Sequence, residues 1–203
     1  MKVILTGSSG LLASTLKKKI TKNYKLYEIS RQNSPITLDL VSYNDLENKF
    51  NSIKPNIIVN LAANTNLDML EENFNICIRD NFITVKNIVD YILKNDQNIK
   101  FIHLTTDQYY NQNKLNKENE ISILNNYTFS KYISEIYASK INSLILRTNF
   151  FGKSNSNKKL SFSDIIINSL NKSENIHLFQ DVFFSPLSMD TLSEILLIIF
   201  HSD

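Results

Sequence analysis

The stretch TGSSGLLA, residues 6–13, decides the fold, because it joins a short apolar run at 2–6 to a segment at 11–22 with the apolar spacing of a helix. Gly7 and Gly10 are two of only 3 glycines in the chain. Glycines here permit a tight turn and a close backbone approach to a ligand, and the following helix offers unpaired N–H groups. The stretch therefore predicts a phosphate-binding loop; the alternative is an ordinary turn.

Strands and helices alternate along the rest of the chain. We predict strands at 25–30, 37–40, 56–61, 100–105, 143–147 and 176–179, and helices at 43–53, 72–95, 127–140, 162–170 and 189–200. The polar segments 111–126 and 151–160 are predicted to be loops. This alternation indicates an α/β protein with a doubly wound parallel sheet and helices on both faces. In such sheets the ligand lies beyond the carboxyl ends of the strands.

Composition argues against several kinds of protein. The 203 residues include 22 Lys and Arg against 20 Asp and Glu, and a net charge of only +2 argues against a nucleic-acid binder. The single cysteine, Cys77, cannot form an internal disulfide, which suits a reducing compartment. The apolar runs at 2–6 and 195–200 are too short for a signal peptide or a membrane span. The histidines show no ligand spacing, so no metal site is predicted. We expect a cytoplasmic protein without a membrane or nucleic-acid partner.

Two further segments follow predicted strands. Ser30 and Arg31 place a hydroxyl and a guanidinium where an acidic residue would hold a ribose hydroxyl, and a guanidinium suits a 2′-phosphate instead. The alternative is a solvated surface arginine. Ala62 and Ala63 follow the strand at 56–61, and such small residues leave room for a flat cofactor. Plain helix–sheet packing is the alternative there.

A tyrosine and a lysine have the spacing of a proton-transfer pair. Tyr127 and Lys131 are four residues apart and lie on one face of the predicted helix. An ammonium near a phenol favours the phenolate, so we expect the pKa of Tyr127 to fall below its usual value of about 10. Thr106 ends the preceding strand and can bond the same substrate oxygen. Because the chain has 9 tyrosines, the spacing alone can arise by chance and depends on this context.

Several segments carry a resemblance to a known family. They are the glycine motif, residues 38–40, 55–68 and 105–107, the pair Tyr127 and Lys131 with Glu135, and residues 147–148 and 184–186. With them the chain resembles the extended short-chain dehydrogenase/reductase superfamily, and within it the dTDP-4-dehydrorhamnose reductase branch, over essentially its whole length. Thr128 and Gln108 depart from the usual residues of that branch. Its members continue further than Asp203, so we expect a short C-terminal substrate-binding part.

The resemblance implies a Rossmann fold that prefers NADP(H) and accepts NAD(H). It implies an NAD(P)-binding domain at 1–150, followed by the remainder of the sheet and a partial substrate-binding region at 151–203. The implied cofactor-binding residues are Gly7, Ser9, Gly10, Leu11, Leu12, Ser30, Arg31, Asp39, Leu40, Leu61, Ala62, Ala63, Thr65, Tyr127 and Lys131. The implied substrate-binding residues are Thr106, Asp107 and Asn149.

The resemblance also implies a reaction, the reduction of the 4-keto group of a nucleotide-linked deoxysugar. Tyr127 would be the general acid, Lys131 would lower its pKa and hold the nicotinamide ribose, and Thr106 would orient the substrate oxygen. Two alternatives stay open: an epimerase or dehydratase of the same superfamily, and a non-catalytic NAD(P)-binding regulatory subunit. A nucleotide sugar is the expected partner, and a homodimer is allowed.

Overall fold

A parallel sheet forms the centre of the computed structural model, which describes residues 1–95, 98–110, 114–154, 160–178, 180, 182 and 184–201. Its strands are β1 Lys2–Thr6, β2 Lys25–Ser30, β3 Ile36–Thr37, β4 Ile57–Asn60, β5 Lys100–Thr106 and β6 Ser143–Thr148. Within the described ranges these six strands have the spatial order β3-β2-β1-β4-β5-β6. The predicted α/β fold with a doubly wound parallel sheet is confirmed.

Helices cover both faces of the sheet. They are α1 Leu11–Ile20, α2 Tyr43–Ile53, α3 Leu67–Glu72, α4 Phe74–Cys77, α5 Thr84–Asn95, α6 Asn126–Ala138, α7 Phe162–Asn171 and α8 Met189–Ile199, with a π-helical segment, Ile78–Ile83, before α5. Helices α1 and α8 pack on one face, and α2 and α5 on the other. In the part of the chain that is described, no helix has the length and apolarity needed to cross a membrane.

Strand β1 is apolar because it is covered on both faces. Ile4 joins the core cluster that contains Phe50, whereas Val3 and Leu5 join the cluster that contains Leu16. Successive side chains of a strand point to opposite faces, so a strand between two helical layers has no position for an exposed polar residue.

A chain of buried polar side chains connects three neighbouring strands to α6. The Thr6 hydroxyl donates to the Asn60 side-chain oxygen at 2.5 Å, and the Asn60 amide lies 3.0 Å from Nδ1 of His103. Nε2 of His103 lies 3.1 Å from the Ser134 hydroxyl, which donates to the Lys131 carbonyl at 2.6 Å. Burial, aided by the charge of Lys131, lowers the pKa of His103 well below its usual value. All these bonds are satisfied when His103 is neutral with its proton on Nε2.

The structure differs from the helix predicted at 72–95. The helix ends and restarts at Asn73 and then widens into the π-helical segment at 78–83. A π turn inserts one residue and rotates the side chains that follow it. Asp80 and Asn81 are buried as a result, whereas Phe74 is 45% exposed.

Other boundaries also differ from the predictions. Strand β3 covers 36–37 rather than 37–40, and residues 176–178 form no strand; Phe179 lies outside the described residues. Strand β7, Phe150–Phe151, overlaps the start of a predicted loop and pairs in parallel with β8, Leu187–Ser188. This pairing joins distant parts of the chain, so no local pattern indicates it. Residues 111–113 and 155–159 of the predicted loops also lie outside the described residues.

A largely buried ion pair attaches the loop after β5 to the sheet edge. The Arg147 guanidinium donates to the Glu135 carboxylate at 2.7 Å and 3.0 Å. The same guanidinium donates to the Tyr110 hydroxyl at 3.1 Å and to the Glu118 carbonyl at 2.5 Å. One side chain on β6 therefore binds α6 and two positions of this loop.

We expect Arg147→Met to lower the free energy of unfolding by roughly 3 kcal/mol, because it leaves the Glu135 carboxylate buried and unpaired. The control is Lys86→Met, which removes a more exposed ion pair with Asp90 and should cost less than about 1 kcal/mol. Urea denaturation followed by circular dichroism measures both. A loss at Arg147 no larger than that at Lys86 contradicts the prediction.

Candidate functional site

A cleft of about 810 Å³ lies at the carboxyl ends of β1, β2 and β4. Its lining includes residues 7–11, 30–33, 38–40 and 61–63, together with Asp80 of the π-helical segment. The volume is within the range of small-molecule sites. Strand β1 pairs with β2 on one side and β4 on the other, so the cleft lies where the chain crosses between the two halves of the sheet.

Most of the predicted cofactor-binding residues meet in this cleft. Those in its lining are Gly7, Ser9, Gly10, Leu11, Ser30, Arg31, Asp39, Leu40, Leu61, Ala62 and Ala63. Leu12 is different, because its side chain is buried in the core beside Leu16. Thr65 is exposed and lies outside the lining, and Tyr127 and Lys131 belong to a second group of residues at the end of β5.

The glycine loop is held against the end of β4. Gly7 has φ +67°, and a Cβ there would lie 2.7 Å from the Ala62 nitrogen and from the Leu61 carbonyl carbon. Gly10 has an ordinary φ of −76°, and its Cβ would lie 3.1 Å from the Gly7 oxygen. The first turn of α1 contains no acidic residue, so its N–H groups and positive dipole end are available to an anion. The loop therefore fits a dinucleotide pyrophosphate. Gly7 is also required by the fold itself, because a side chain there would collide with the backbone at Leu61 and Ala62.

Arg31 lies at the cleft in an ion pair. Its Nη1 lies 2.8 Å from Oδ1 of Asp80 and its Nη2 lies 3.3 Å from Oδ2. The Arg31 side chain is 48% exposed, whereas that of Asp80 is only 4% exposed. The Ser30 hydroxyl turns to the Gln32 carbonyl, and Asp39 pairs with Arg79 at 2.8 Å. The predicted phosphate-binding arginine is thus already paired with a carboxylate.

Sequence reasoning missed four polar residues that surround this pair. The Asn64 side chain donates to Asp80 at 2.9 Å, and the Asn64 backbone N–H donates to the Asn81 side-chain oxygen at 2.7 Å. The Asn81 amide also lies 3.1 Å from the Ser130 hydroxyl, and Arg79 is 3.5 Å from Asp80. The available signal was the polar run Arg-Asp-Asn at 79–81 inside an otherwise apolar helix.

The second group contains Thr106 together with Tyr127 and Lys131. The side chains of Thr106 and Tyr127 are buried, and a hydrogen bond from Thr106 acts on the Tyr127 phenol. Burial nevertheless raises the pKa of Tyr127 to about 12, and the nearby charge of Asp107 adds to the rise. The prediction of a lowered pKa is wrong in direction, because the cost of burying a phenolate exceeds the favourable contributions.

Lys131 lies one turn after Tyr127 and points to the backbone of β5. Its ammonium donates to the Leu104 carbonyl at 2.8 Å, and burial lowers its pKa to about 8 against the opposing charge of Glu135. Asp107 has its pKa raised by burial, and the Asn149 side chain bonds it. The residues predicted to bind substrate therefore lie together at the ends of β5 and β6.

The parallel sheet, the glycine loop and the cleft at the strand ends define a Rossmann-type α/β protein. Within that class, the chain belongs to the family described as the RmlD substrate binding domain, whose model matches residues 1–202. The predicted resemblance to the dTDP-4-dehydrorhamnose reductase branch is confirmed at the level of the family.

Solved structures share the fold at low sequence identity. A hypothetical dTDP-4-dehydrorhamnose reductase from Sulfolobus tokodaii matches with a TM-score of 0.87 and 25% identity, over 98% of this chain and 72% of that one. The dTDP-4-dehydrorhamnose reductase of Bacillus anthracis str. Ames, in complex with NADP, matches with a TM-score of 0.85 and 23% identity, over 99% of this chain and 71% of that one. A UDP-glucose 4-epimerase complex with NAD from Thermus thermophilus matches with a TM-score of 0.80 and 14% identity, over 100% of this chain and 75% of that one. None of the curated proteins matches the chain by sequence.

We expect Gly7→Ala to lower the free energy of unfolding by more than about 2 kcal/mol, because it combines a left-handed backbone with a collision against the backbone at Ala62. Gly10→Ala, at an ordinary φ, should cost less than about 1 kcal/mol. Chemical denaturation of the two variants measures the difference. Equal losses at the two glycines would show that the contact with β4 does not constrain the loop.

We expect the buried Lys131 ammonium to make stability depend on pH. Its folded pKa of about 8 is below the ordinary value of 10.5, so between these values the unfolded chain binds more protons and the free energy of unfolding rises with pH. From about pH 7 to about pH 10 the wild type should gain roughly 1–3 kcal/mol relative to Lys131→Met. Urea denaturation across this range measures the gain. Lys140→Met, which replaces an exposed lysine, should show the same rise in the free energy of unfolding as the wild type. If the free energy of unfolding of Lys131→Met rises with pH as much as that of the wild type, the prediction is contradicted.

Proposed function

We propose that this chain reduces the 4-keto group of a nucleotide-linked deoxysugar with NADPH, as a dTDP-4-dehydrorhamnose reductase does. The observation that carries the proposal is the burial of Thr106 and Tyr127 together at the end of β5, with Lys131 one helical turn further along α6. Family membership supports the substrate class, and the two matching proteins with reductase names support the reaction.

The cleft supports a dinucleotide as the cofactor. Gly7 and Gly10 with the start of α1 would hold the pyrophosphate, Arg31 would face the 2′-phosphate, and Asp39 with Leu40 would border the adenine. Ala62 and Ala63 would lie along the cofactor towards Tyr127 and Lys131. When bound, the nicotinamide supplies a hydride. NADP in one matching structure and NAD in another support both forms, with NADP preferred.

Tyr127 would supply the proton. At neutral pH its phenol is protonated, so it can donate to the oxygen that becomes negative as the carbonyl is reduced. Thr106 would hydrogen-bond the same oxygen and align it with the phenol. Lys131, fixed on the Leu104 carbonyl, would hold the nicotinamide ribose; the charges acting on Tyr127 do not support a role in lowering its pKa.

The substrate side would be formed by Thr106, Asp107 and Asn149. Burial raises the pKa of Asp107, and its bond with Asn149 places an amide and a carboxylate beside the two hydroxyls. These groups can bind sugar hydroxyls. The cytoplasmic location, the homodimer, the absence of a nucleic-acid partner and the division of the chain at residue 150 stay predictions.

A 4-epimerase is the second candidate, because the matching UDP-glucose 4-epimerase shares the fold. The two reactions differ in cofactor use. A reductase consumes one NADPH for each sugar reduced and releases the oxidised form, whereas an epimerase regenerates its cofactor within one turnover.

The test offers NADPH with several nucleotide-linked 4-keto-6-deoxysugars and follows nicotinamide absorbance. We expect Tyr127→Phe to slow reduction by about 10²–10⁴-fold with little change in NADPH affinity, since only the phenolic hydroxyl is removed. Tyr132→Phe, which removes a hydroxyl from the same helix, is the matched control and should retain the wild-type rate.

Three outcomes contradict the proposal. Turnover by Tyr127→Phe at the wild-type rate removes the proposed general acid. Interconversion of sugars without net NADPH consumption favours the epimerase. NADPH binding without turnover of any of these sugars favours a non-catalytic NAD(P)-binding subunit.

A further inference from the structure

The ion pair between Arg31 and Asp80 has the two-bond geometry in which a guanidinium grips a carboxylate. The two nitrogen–oxygen distances are 2.8 Å and 3.3 Å, and they join different nitrogens to different oxygens. Such a fork is stronger and more directional than a single contact. A second anion that approaches Arg31 must therefore compete with a carboxylate already in place.

Asp80 cannot move away to make room. Its side chain is almost fully buried, and its Oδ2 also accepts from Asn64 at 2.9 Å. It projects from the π-helical segment, which is packed against α6. Arg31 is the exposed partner of the pair. An incoming phosphate can therefore bind the guanidinium only by weakening the hydrogen bonds between Arg31 and the fixed carboxylate of Asp80.

The charges beside Arg31 are balanced in pairs. Arg31 pairs with Asp80, and Arg79 lies 2.8 Å from Asp39 and 3.5 Å from Asp80. Two guanidinium groups thus meet two carboxylates, and this part of the cleft has no excess positive charge among the described residues. The cleft lining also contains Lys17, which pairs with Glu28, and Lys18.

We propose that Asp80 is a specificity-determining residue that limits the preference for a 2′-phosphorylated dinucleotide by occupying the guanidinium of Arg31. The inference rests on the proposed function, because it assumes that the cleft holds NADP(H) or NAD(H). Asp80 acts through Arg31 and is therefore a positioning residue. Arg79 opposes it, since a second guanidinium beside Asp80 weakens the hold of the carboxylate on Arg31.

The experiment measures dissociation constants for NADPH and NADH by fluorescence titration of the whole chain. We expect Asp80→Asn, which keeps the shape of the side chain and the acceptor for Asn64, to raise NADPH affinity about tenfold and to leave NADH affinity within about twofold. Arg79→Gln should act in the opposite direction and lower the NADPH-to-NADH affinity ratio severalfold. Asp90→Asn removes a carboxylate on α5 outside the cleft and should not change the ratio.

The double variant Asp80→Asn with Arg31→Ala separates the mechanism from simple charge repulsion. If Asp80 acts through the guanidinium, the gain in NADPH affinity from Asp80→Asn disappears when Arg31 is replaced. A gain that persists without Arg31 overturns the proposal and assigns the phosphate to another cation, such as Lys18.

The remaining outcomes are also decisive. A folded Asp80→Asn variant with an unchanged or lower ratio overturns the inference and leaves the proposed function intact. If Asp80→Asn does not fold, Arg79→Gln decides, and an unchanged or higher ratio there overturns the inference. Binding of neither dinucleotide by the wild type overturns the proposed function and the inference with it.

Discussion

The buried hydrogen bonds that run from Thr6 through Asn60 and His103 to Ser134 hold the two halves of the site together. They cross β1, β4 and β5 and end on the backbone of Lys131. Each of these hydrogen-bonded side chains lies in the core, where a polar group left without a partner is costly. The glycine loop that follows β1, the small residues that follow β4 and the helix that bears Tyr127 are thereby fixed relative to one another.

Local patterns were sufficient for much of this architecture. The helix at 43–53 was predicted at its observed bounds, because it buries a single stripe, and the apolar run at 2–6 forms β1. The position of the cleft also followed from local signals, since residues after parallel strands must meet at one edge. The π-helical segment did not, because its one-residue insertion has no periodic signature and is stabilised by contacts of Asn81 with Asn64 and Ser130.

Features of the site that depend on long-range contacts could not be predicted from local sequence patterns. Arg31 and Asp80 are far apart in the chain, so a motif that contains only Ser30 and Arg31 overstates the positive charge offered to a phosphate. The pKa of Tyr127 is a similar case. Spacing indicates which side chains share a helix face, but the free energy of ionising a phenol depends on how much water surrounds it, and that depends on the complete fold.

The place of β1 in the sheet has a consequence for how the chain is made. Among the described strands of the sheet, β1 is the first to leave the ribosome, and it pairs with β2 on one side and with β4 on the other. Its two edges therefore stay open until residue 30 and then residue 60 have been synthesised. An apolar strand with two free edges can pair with other chains, so the nascent sheet is most vulnerable to aggregation before β4 has been made.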